Sequence, residues 1–152
     1  MLALRPTTHR FLRPLLVLGA LGADQATKAW AMHRLAPMES VRILPFLHLT
    51  YVENTGAAWS LLKGGNSILI GISMALMAGL LWVRRRWPAD AHWAHYGAML
   101  VVAGALGNLY DRITLGCVVD FLELPYWPVF NIADSCICVG AAFLAWGLRE
   151  KT

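Results

Sequence analysis

The architecture of this chain is decided by residues 118–134, VVDFLELPYWPVFNIAD, which follow one apolar run and lead into another. The segment holds two aspartates, Asp120 and Asp134, which are 14 positions apart and each stand beside strongly apolar sequence. An unpaired carboxylate near a bilayer costs several kcal/mol, so one that is present usually has a function. The segment therefore predicts a carboxylate pair for acid–base chemistry at a membrane face.

A short and rigid connection, Pro125-Tyr126-Trp127-Pro128, separates the two aspartates. Its two prolines restrict the backbone and prevent a helix from continuing through it. Tyrosine and tryptophan suit the headgroup layer of a membrane. We expect the connection to turn the chain back into the same leaflet, which would hold both carboxylates at a similar depth near the outer surface.

The composition indicates an integral membrane protein. Of 152 residues, 58% are hydrophobic and 14% are charged, and the mean hydropathy is +0.53. Ordinary soluble domains carry about 25% charged residues. The basic pI of 9.3 does not indicate nucleic-acid binding, because the basic residues cluster at the ends of the apolar runs and not on one polar face.

Four apolar runs are visible, at about 11–32, 67–83, 94–113 and 131–148. About 20 residues cross a bilayer core, and a smaller number of spans would leave an apolar run in water. The first run is too long for the core of a cleaved signal peptide, so we expect it to remain as a membrane helix. The fold predicted for residues 1–152 is a single all-α membrane domain, a bundle of four transmembrane helices.

The distribution of basic residues predicts the orientation. Eight of the thirteen Lys and Arg residues fall on one side of a four-span arrangement: Arg5, Arg10, Arg13, Arg84, Arg85, Arg86, Arg149 and Lys151. The positive-inside rule then places both termini and the 84–93 loop in the cytoplasm. Most of the acidic residues lie at or towards the outer face of the membrane, where we expect the polar chemistry to collect.

The long outer connection, about 33–66, has two recognisable parts. Residues 46–52 are rich in β-formers and alternate loosely, which favours short strands. Asn54-Thr55-Gly56 is typical of a turn, and the small residues and Trp59 that follow suit an amphipathic helix on the membrane surface. We therefore expect a small extracytoplasmic β-platform with an interfacial amphipathic helix; a simple surface loop is an equally good interpretation of the periodicity.

Polar residues form a stripe on the third and fourth runs. Asn108 lies three and four positions before Asp111 and Arg112, and Asn131 lies three before Asp134, so each set shares a helix face. We expect Asp24 and Asn54 to join them. Simpler interpretations remain open at this point.

Those simpler interpretations are structural. Asp111 and Arg112 suit an ordinary helix-end charge pair, and Asp24 suits a pair with Lys28 one turn on. Asparagines in membrane helices often only join neighbouring helices. The histidines His48, His92 and His95 are not at metal-ligand spacing with the outer carboxylates, so we expect no metal and no cofactor.

Taken together, the motifs resemble those of the lipoprotein signal peptidase (signal peptidase II) family of bacterial membrane aspartyl proteases. The resemblance covers nearly the whole chain and rests on five blocks: Asp24–Lys28, Asn54–Ser60, Gly104–Arg112, Gly116–Phe121 and Phe130–Asp134. Two departures are visible, Trp59 where the family usually has Phe and Ala105 where a second Gly is common. Neither touches the carboxylates.

The resemblance implies removal of the signal peptide from a prolipoprotein, just before a cysteine that carries diacylglyceryl. It implies a catalytic dyad of Asp120 and Asp134. It also implies two further groups of residues: substrate-binding Asn54, Gly56, Asn108, Arg112 and Asn131, and structural support from Asp24, Lys28, Gly104, Gly107 and Ala133. The expected partners are lipid-modified prolipoprotein signal peptides and membrane lipids, and the expected state is a monomer.

Two other classes of function compete with a protease. A small proton-coupled transporter would use the acids as a proton relay, with acids near the midplane and internal repeats; the acids here gather at one face and no repeat is visible. A purely structural membrane subunit would leave two costly carboxylates without a role.

Overall fold

The computed structural model describes residues 6–36, 40–56 and 65–149, with side chains from Phe11 onward. Within them lie four helices, α1 (Pro6–Arg34), α2 (Gly65–Arg84), α3 (His92–Thr114) and α4 (Ile132–Arg149). Three strands accompany the helices: β1 (Val41–Leu44) and β2 (Leu47–Asn54) between α1 and α2, and β3 (Val118–Glu123) between α3 and α4.

Each of the four predicted apolar runs lies in one helix, with ends that differ by a few residues. Among the described residues, α2 and α4 are long and apolar enough, by length and composition, to cross a membrane. The helices α1 and α3 carry buried polar side chains such as Asp24 and Asn108, which lower their average hydropathy. Four spans therefore remain a prediction for α1 and α3.

Helix α3 lies at the centre and packs most extensively against α4, with further contacts to α1 and α2. The α3–α4 contact depends on glycine: a Cβ atom on Gly97 would lie 2.5 Å from the Gly140 carbonyl oxygen, and one on Gly140 would lie 2.7 Å from the Gly97 carbonyl oxygen. Small residues let helix backbones approach this closely. Gly97 and Gly140 therefore set the close approach of α3 and α4.

Helix α2 is peripheral, and its apolar side chains face outward. Ile68, Ile72, Met74 and Leu76 are all more than 40% exposed, and Gly65 is the buried residue of this helix. An exposed apolar surface of this kind marks contact with another protein or with lipid. Lipid contact is the environment that the composition predicts.

The strands form one antiparallel sheet in the order β1-β2-β3. The predicted strand in residues 46–52 is confirmed as β2, whose Val52 pairs with Asp120 and whose Asn54 pairs with Val118 on β3. Strand β3 was not predicted, since its β-forming residues gain a sheet partner only from the distant loop before α2. The predicted interfacial helix falls largely on residues 57–64, outside the described residues.

Candidate active site

The first turn of α4 fixes the position of Asp134. Asn131 precedes the helix, and its side-chain Oδ1 accepts a hydrogen bond from the Asp134 backbone N–H at 2.9 Å. In return, the Asn131 backbone N–H donates to Asp134 Oδ2 at 3.2 Å. This reciprocal arrangement is a capping box, with Asn and Asp in the usual Ser/Thr and Glu/Gln positions. It holds the Asp134 carboxylate where the helix dipole favours negative charge.

Strand β3 carries the second carboxylate, Asp120, whose side chain is only 1% exposed. Its Oδ1 accepts a hydrogen bond from the Asn131 side-chain amide at 2.7 Å, and its Oδ2 accepts one from the Asn54 amide at 2.9 Å. Asn131 therefore contacts both aspartates. This shared asparagine is what brings the end of β3 and the start of α4 into one site.

Asn54, at the end of β2, is oriented by the turn that follows it. The Gly56 backbone N–H donates to Asn54 Oδ1 at 2.9 Å, which leaves the NH₂ group directed at Asp120. Gly56 has a φ of 73°, a left-handed conformation that glycine adopts without steric cost. A Cβ atom there would also lie 2.6 Å from Leu69 Cδ1 on α2. The predicted turn is confirmed, and its geometry requires glycine.

Helix α3 completes the hydrogen bonding of Asp134. The Asn108 side-chain amide donates to Asp134 Oδ1 at 2.8 Å, and Asn108 Oδ1 accepts from the Asn131 amide at 3.1 Å. Each of the four oxygens of Asp120 and Asp134 thus accepts an N–H hydrogen bond. Such bonds fix the orientation of a carboxylate without blocking all of its lone pairs.

The surroundings of Asp120 alter its acidity. Burial raises the pKa of Asp120 to about 6, and the nearby Asp134 charge acts in the same direction. Hydrogen bonds from Asn54 and Asn131 and the Lys28 charge oppose the rise. A carboxyl group with a pKa near 6 can hold or release a proton close to neutral pH.

Beneath the two aspartates lies a buried ion cluster centred on Lys28, which is 2% exposed. The Lys28 ammonium contacts Asp24 Oδ2 at 2.9 Å and Asp111 Oδ2 at 2.8 Å, and it donates to Asn108 Oδ1 at 2.9 Å. An ammonium has three donors, and here each has an acceptor. The cluster joins α1 to α3 at the residue that holds Asp134.

The two carboxylates of this cluster extend it to α4 and β3. Asp24 Oδ1 accepts from the Ala133 backbone N–H at 2.8 Å, and Asp111 Oδ2 accepts from the Val119 backbone N–H at 3.3 Å. Gln25 bridges the two, donating to Asp24 at 3.1 Å and to Asp111 at 3.0 Å. One buried network thereby positions the backbone beside both Asp120 and Asp134.

This network corrects one interpretation and adds two residues. The pairing of Asp24 with Lys28 is confirmed, but a helix-end pair of Asp111 with Arg112 is wrong, because Asp111 is 2% exposed and contacts Lys28. Asp111 was placed in the polar stripe by its spacing from Asn108 but was not assigned to the site, and Gln25 was missed.

Glycine and alanine shape the space around the cluster. A Cβ atom on Gly107 would lie 2.5 Å from Asp24 Oδ2, and one on Gly104 would collide with the Ala133 carbonyl oxygen. Ala133 itself is fully buried. These three of the five expected supporting residues therefore lie at contacts between α3 and the start of α4 or Asp24.

Arg112 lies beside the aspartates in a groove of about 460 Å³ that also exposes Asn108 and Asp134. The remaining lining is mostly apolar: Ser73, Leu76, Met77, Leu80, Val101, Ala105 and Ile137. The Arg112 guanidinium donates a long hydrogen bond, 3.4 Å, to the Asn108 carbonyl oxygen of its own helix. Its cationic group is thus directed to a groove that reaches Asp134.

Known proteins with similar sequences and structures point to one family. The family description "Signal peptidase (SPase) II" matches residues 16–149. A lipoprotein signal peptidase of Moorella thermoacetica is 41% identical over 135 residues, covering 88% of this chain and 90% of that protein. Another, of Pseudoalteromonas translucida, is 42% identical over 132 residues, covering 82% and 80%.

Solved structures agree with the sequence comparison. One described as a bacterial membrane enzyme aligns with a TM-score of 0.83 at 30% identity, covering 93% of this chain and 94% of that one. A second with the same description aligns with a TM-score of 0.77 at 30% identity, covering 91% and 88%. Since the family match extends over most of the chain, this protein belongs to the signal peptidase II family.

Proposed function

We propose that this chain is an aspartic endopeptidase that removes the signal peptide from diacylglyceryl-modified prolipoproteins, cleaving before the lipidated cysteine. Its family and its relatives support the removal of signal peptides from prolipoproteins. The observation that supports an aspartic mechanism is that Asp120 and Asp134 are both hydrogen-bonded to Asn131. The remaining roles follow from that pair.

The proposed dyad shares one proton. Two carboxylates held close together do not both ionise cheaply, so one retains a proton near neutral pH. We assign that proton to Asp120, whose pKa is raised to about 6. Asp134 lies in the first turn of α4, and the titration steps belong to the pair as a whole.

In the proposed reaction, Asp134 accepts a proton from a water molecule that attacks the scissile carbonyl. Asp120 donates a hydrogen bond to the carbonyl oxygen and later supplies a proton to the leaving amine. The amide bond breaks as the tetrahedral intermediate collapses. The products are the free signal peptide and the new amino terminus of the lipidated cysteine.

Neighbouring donors have positioning and binding roles in this proposal. Asn54 and Asn131 orient Asp120, and Asn108 orients Asp134. The Arg112 guanidinium is a candidate donor to substrate carbonyls or to the developing oxyanion, which preorganised donors stabilise. The mostly apolar groove beside it suits the apolar part of a lipid-modified substrate.

The proposed setting is the bacterial inner membrane, with all four helices spanning it, both termini in the cytoplasm and the dyad near the outer face. The outward apolar face of α2 supports membrane contact. The polar network at the ends of α3 and α4 fits a site near one membrane surface. We propose a monomer, because one copy contributes every residue of the network.

The proton-coupled transporter that the sequence left open gains no support. The curated relatives are named as peptidases. The acidic side chains Asp24, Asp111, Asp120 and Asp134 are gathered in one network and do not form a chain along the helix axes. A peptidase uses this arrangement directly, whereas a relay needs carboxylates at successive depths.

The decisive experiment incubates the purified protein with a synthetic lipid-modified prolipoprotein peptide and measures signal-peptide release. We expect Asp120→Asn and Asp134→Asn each to lower the rate by at least about 100- to 10,000-fold, the usual contribution of a general acid or base. Near-normal turnover by either folded variant contradicts the dyad.

Glu123→Gln is the matched control. Glu123 lies on the same strand as Asp120 but is hydrogen-bonded to Thr50 and Ser40 at its far end. We expect this variant to cleave at close to the wild-type rate. Thermal unfolding and gel filtration of each variant distinguish loss of chemistry from loss of fold.

A further inference from the structure

At the end of the helix bundle remote from the aspartates, a second cavity of about 720 Å³ opens between α1, α2 and α3. Arg13 on its rim and Lys28 of the ion cluster lie on the same helix, about 22 Å apart along its axis at 1.5 Å per residue. The cavity is therefore separate from the proposed active site. Its size falls within the range of about 300–1,000 Å³ that is usual for ligand pockets.

The cavity has an apolar body and a cationic rim. Its apolar lining residues are Pro14, Val17, Leu18, Leu81, Met99 and Val102, and two arginines, Arg13 and Arg84, stand at its edge. None of the described residues that line it is acidic. A ligand that complements both parts carries an anionic group and an apolar chain.

Both guanidinium groups are held in place by neighbouring side chains of α3. Arg84 Nε donates to His95 Nδ1 at 3.2 Å, and the other ring nitrogen of His95 is 3.1 Å from the Pro88 carbonyl oxygen. The Arg13 guanidinium carbon lies 5.9 Å from the centre of the Tyr96 ring. These contacts use the Nε of Arg84 and one face of the Arg13 guanidinium.

Arg13 also has an unmet hydrogen bond. Its Nε is buried and has no hydrogen-bond partner among the described residues. A buried donor without an acceptor costs about 1–3 kcal/mol, and the proximity of the like-charged Arg84 adds repulsion. A bound anion between the two arginines offsets their mutual repulsion.

A phosphate joined to acyl chains is the ligand that fits best. Arginine binds phosphate oxygens with two parallel N–H groups, more strongly than a neutral donor does. Basic pockets between membrane helices on the cytoplasmic side bind anionic lipid headgroups. Free inorganic phosphate would satisfy the arginines but would leave the apolar body unfilled.

We propose that this cavity binds an anionic phospholipid of the inner leaflet, with its phosphate between Arg13 and Arg84 and an acyl chain against Val17, Leu81 and Val102. The consecutive basic residues Arg85 and Arg86 follow α2 at the same end, so the surrounding surface is also cationic. The proposal does not depend on peptidase activity, and its choice of the inner leaflet rests on the orientation proposed above.

The test measures lipid retention directly. The purified full-length protein is equilibrated with equal amounts of phosphatidylglycerol and phosphatidylcholine in detergent, and the bound lipids are counted by native mass spectrometry. We expect about tenfold more phosphatidylglycerol than phosphatidylcholine on the wild type. Both lipids offer a phosphate to the arginines, but the choline ammonium cancels the headgroup charge and is repelled by the cationic rim. Equal retention of the two lipids overturns the proposal, and this arm needs no variant.

Variants locate the site. We expect Arg13→Gln to lower phosphatidylglycerol retention about tenfold, and Arg13→Lys to lower it less because the charge remains. Arg85→Gln removes the same charge from an exposed neighbour that does not line the cavity, and we expect retention close to wild type. An equal loss in Arg85→Gln and Arg13→Gln overturns the proposal in favour of general surface charge.

A final arm separates lipid from free anion. Inorganic phosphate and phosphatidylglycerol are each titrated while thermal unfolding of the wild type is followed. We expect the lipid to raise the unfolding midpoint at concentrations where phosphate alone does not. Equal stabilisation by phosphate shows an anion site without a lipid-binding role and rejects the assignment.

Discussion

Replacing Lys28 by Met removes the only cation within contact of two buried carboxylates in the described part of the chain. Lys28, Asp24 and Asp111 are each no more than 2% exposed, and the ammonium lies 2.9 and 2.8 Å from their oxygens. Methionine has a similar length and flexibility, so the side-chain volume is largely kept. What is lost is the charge that holds the two carboxylates together.

The magnitude follows from burial. Breaking a buried ion pair by removing one partner costs about 3–5 kcal/mol, because the remaining charge stays uncompensated. Here two carboxylates lose their shared partner, and Asn108 Oδ1 loses a donor, so we expect the upper part of that range. For a chain of about 150 residues, each kcal/mol moves the unfolding midpoint by about 2–4 °C. The expected decrease is therefore about 10–20 °C.

The assay is thermal unfolding in detergent followed by intrinsic tryptophan fluorescence. Arg34→Met is the matched control, since Arg34 ends the same helix and is exposed; exposed substitutions usually change stability by less than about 0.5 kcal/mol. Adding Asp111→Asn to Lys28→Met removes one of the unpaired charges, and we expect it to recover part of the loss.

Two results would refute this reasoning. One is a decrease for Lys28→Met that is no larger than the decrease for Arg34→Met. The other is a double variant with Asp111→Asn that is less stable than Lys28→Met alone. Either would mean that the buried ion cluster does not hold the helices together.

Three further predictions concern acidity and close packing. Because the pKa of Asp120 is raised to about 6, the folded state binds more protons than the unfolded state between about pH 4 and 6, and stability falls as pH rises through that window. Unfolding midpoints of Asp120→Asn should fall less steeply with pH than those of the wild type. Parallel profiles for the two proteins would contradict this. Gly56→Ala should lower the cleavage rate about tenfold or more by displacing the turn, since Gly56 combines a φ of 73° with a clash against α2. Gly116→Ala is the control: Gly116 has a φ of 78° but open space around it, so this variant should carry only the backbone strain. Similar cleavage rates for the two variants would count against a role of the turn. Gly104→Ala should lower the unfolding midpoint by forcing α3 away from the α4 backbone. In Gly71→Ala the added Cβ meets nothing within 4 Å, so this control variant should keep or raise the unfolding midpoint. Equal midpoints for the two variants would show that the α3–α4 contact at Gly104 can relax.

Local sequence predicted the helices because their signal is local. Apolar runs long enough to cross a membrane were visible in composition alone, and the structure has one helix in each. The turn at Gly56 and the strand β2 were also predicted, since turn-forming and β-forming residues act over a few positions. The carboxylates Asp120 and Asp134 stood out because charge is rare beside such apolar sequence.

Strand β3 could not be predicted from its local sequence. Residues around Asp120 form a strand because Val52 and Asn54 of β2 lie opposite them. The sequence pattern within 118–123 does not identify β2 as the pairing strand. The same holds for the asparagines, whose amides have a definite direction only when each donor meets its acceptor. Asn54 is directed at Asp120 across a sequence separation of 66 residues.

The sequence by itself determined the membrane class, the apolar helices and, through its motifs, which two aspartates to examine. Only the tertiary structure decided that Lys28 pairs with Asp111 as well as Asp24, and that Asn131 joins the two aspartates. The physical reason is that a buried charge is stable only beside specific partners, and those partners come from distant segments. For example, Asp24 and the Ala133 N–H that it contacts are 109 positions apart in the sequence, and only folding brings these two residues together.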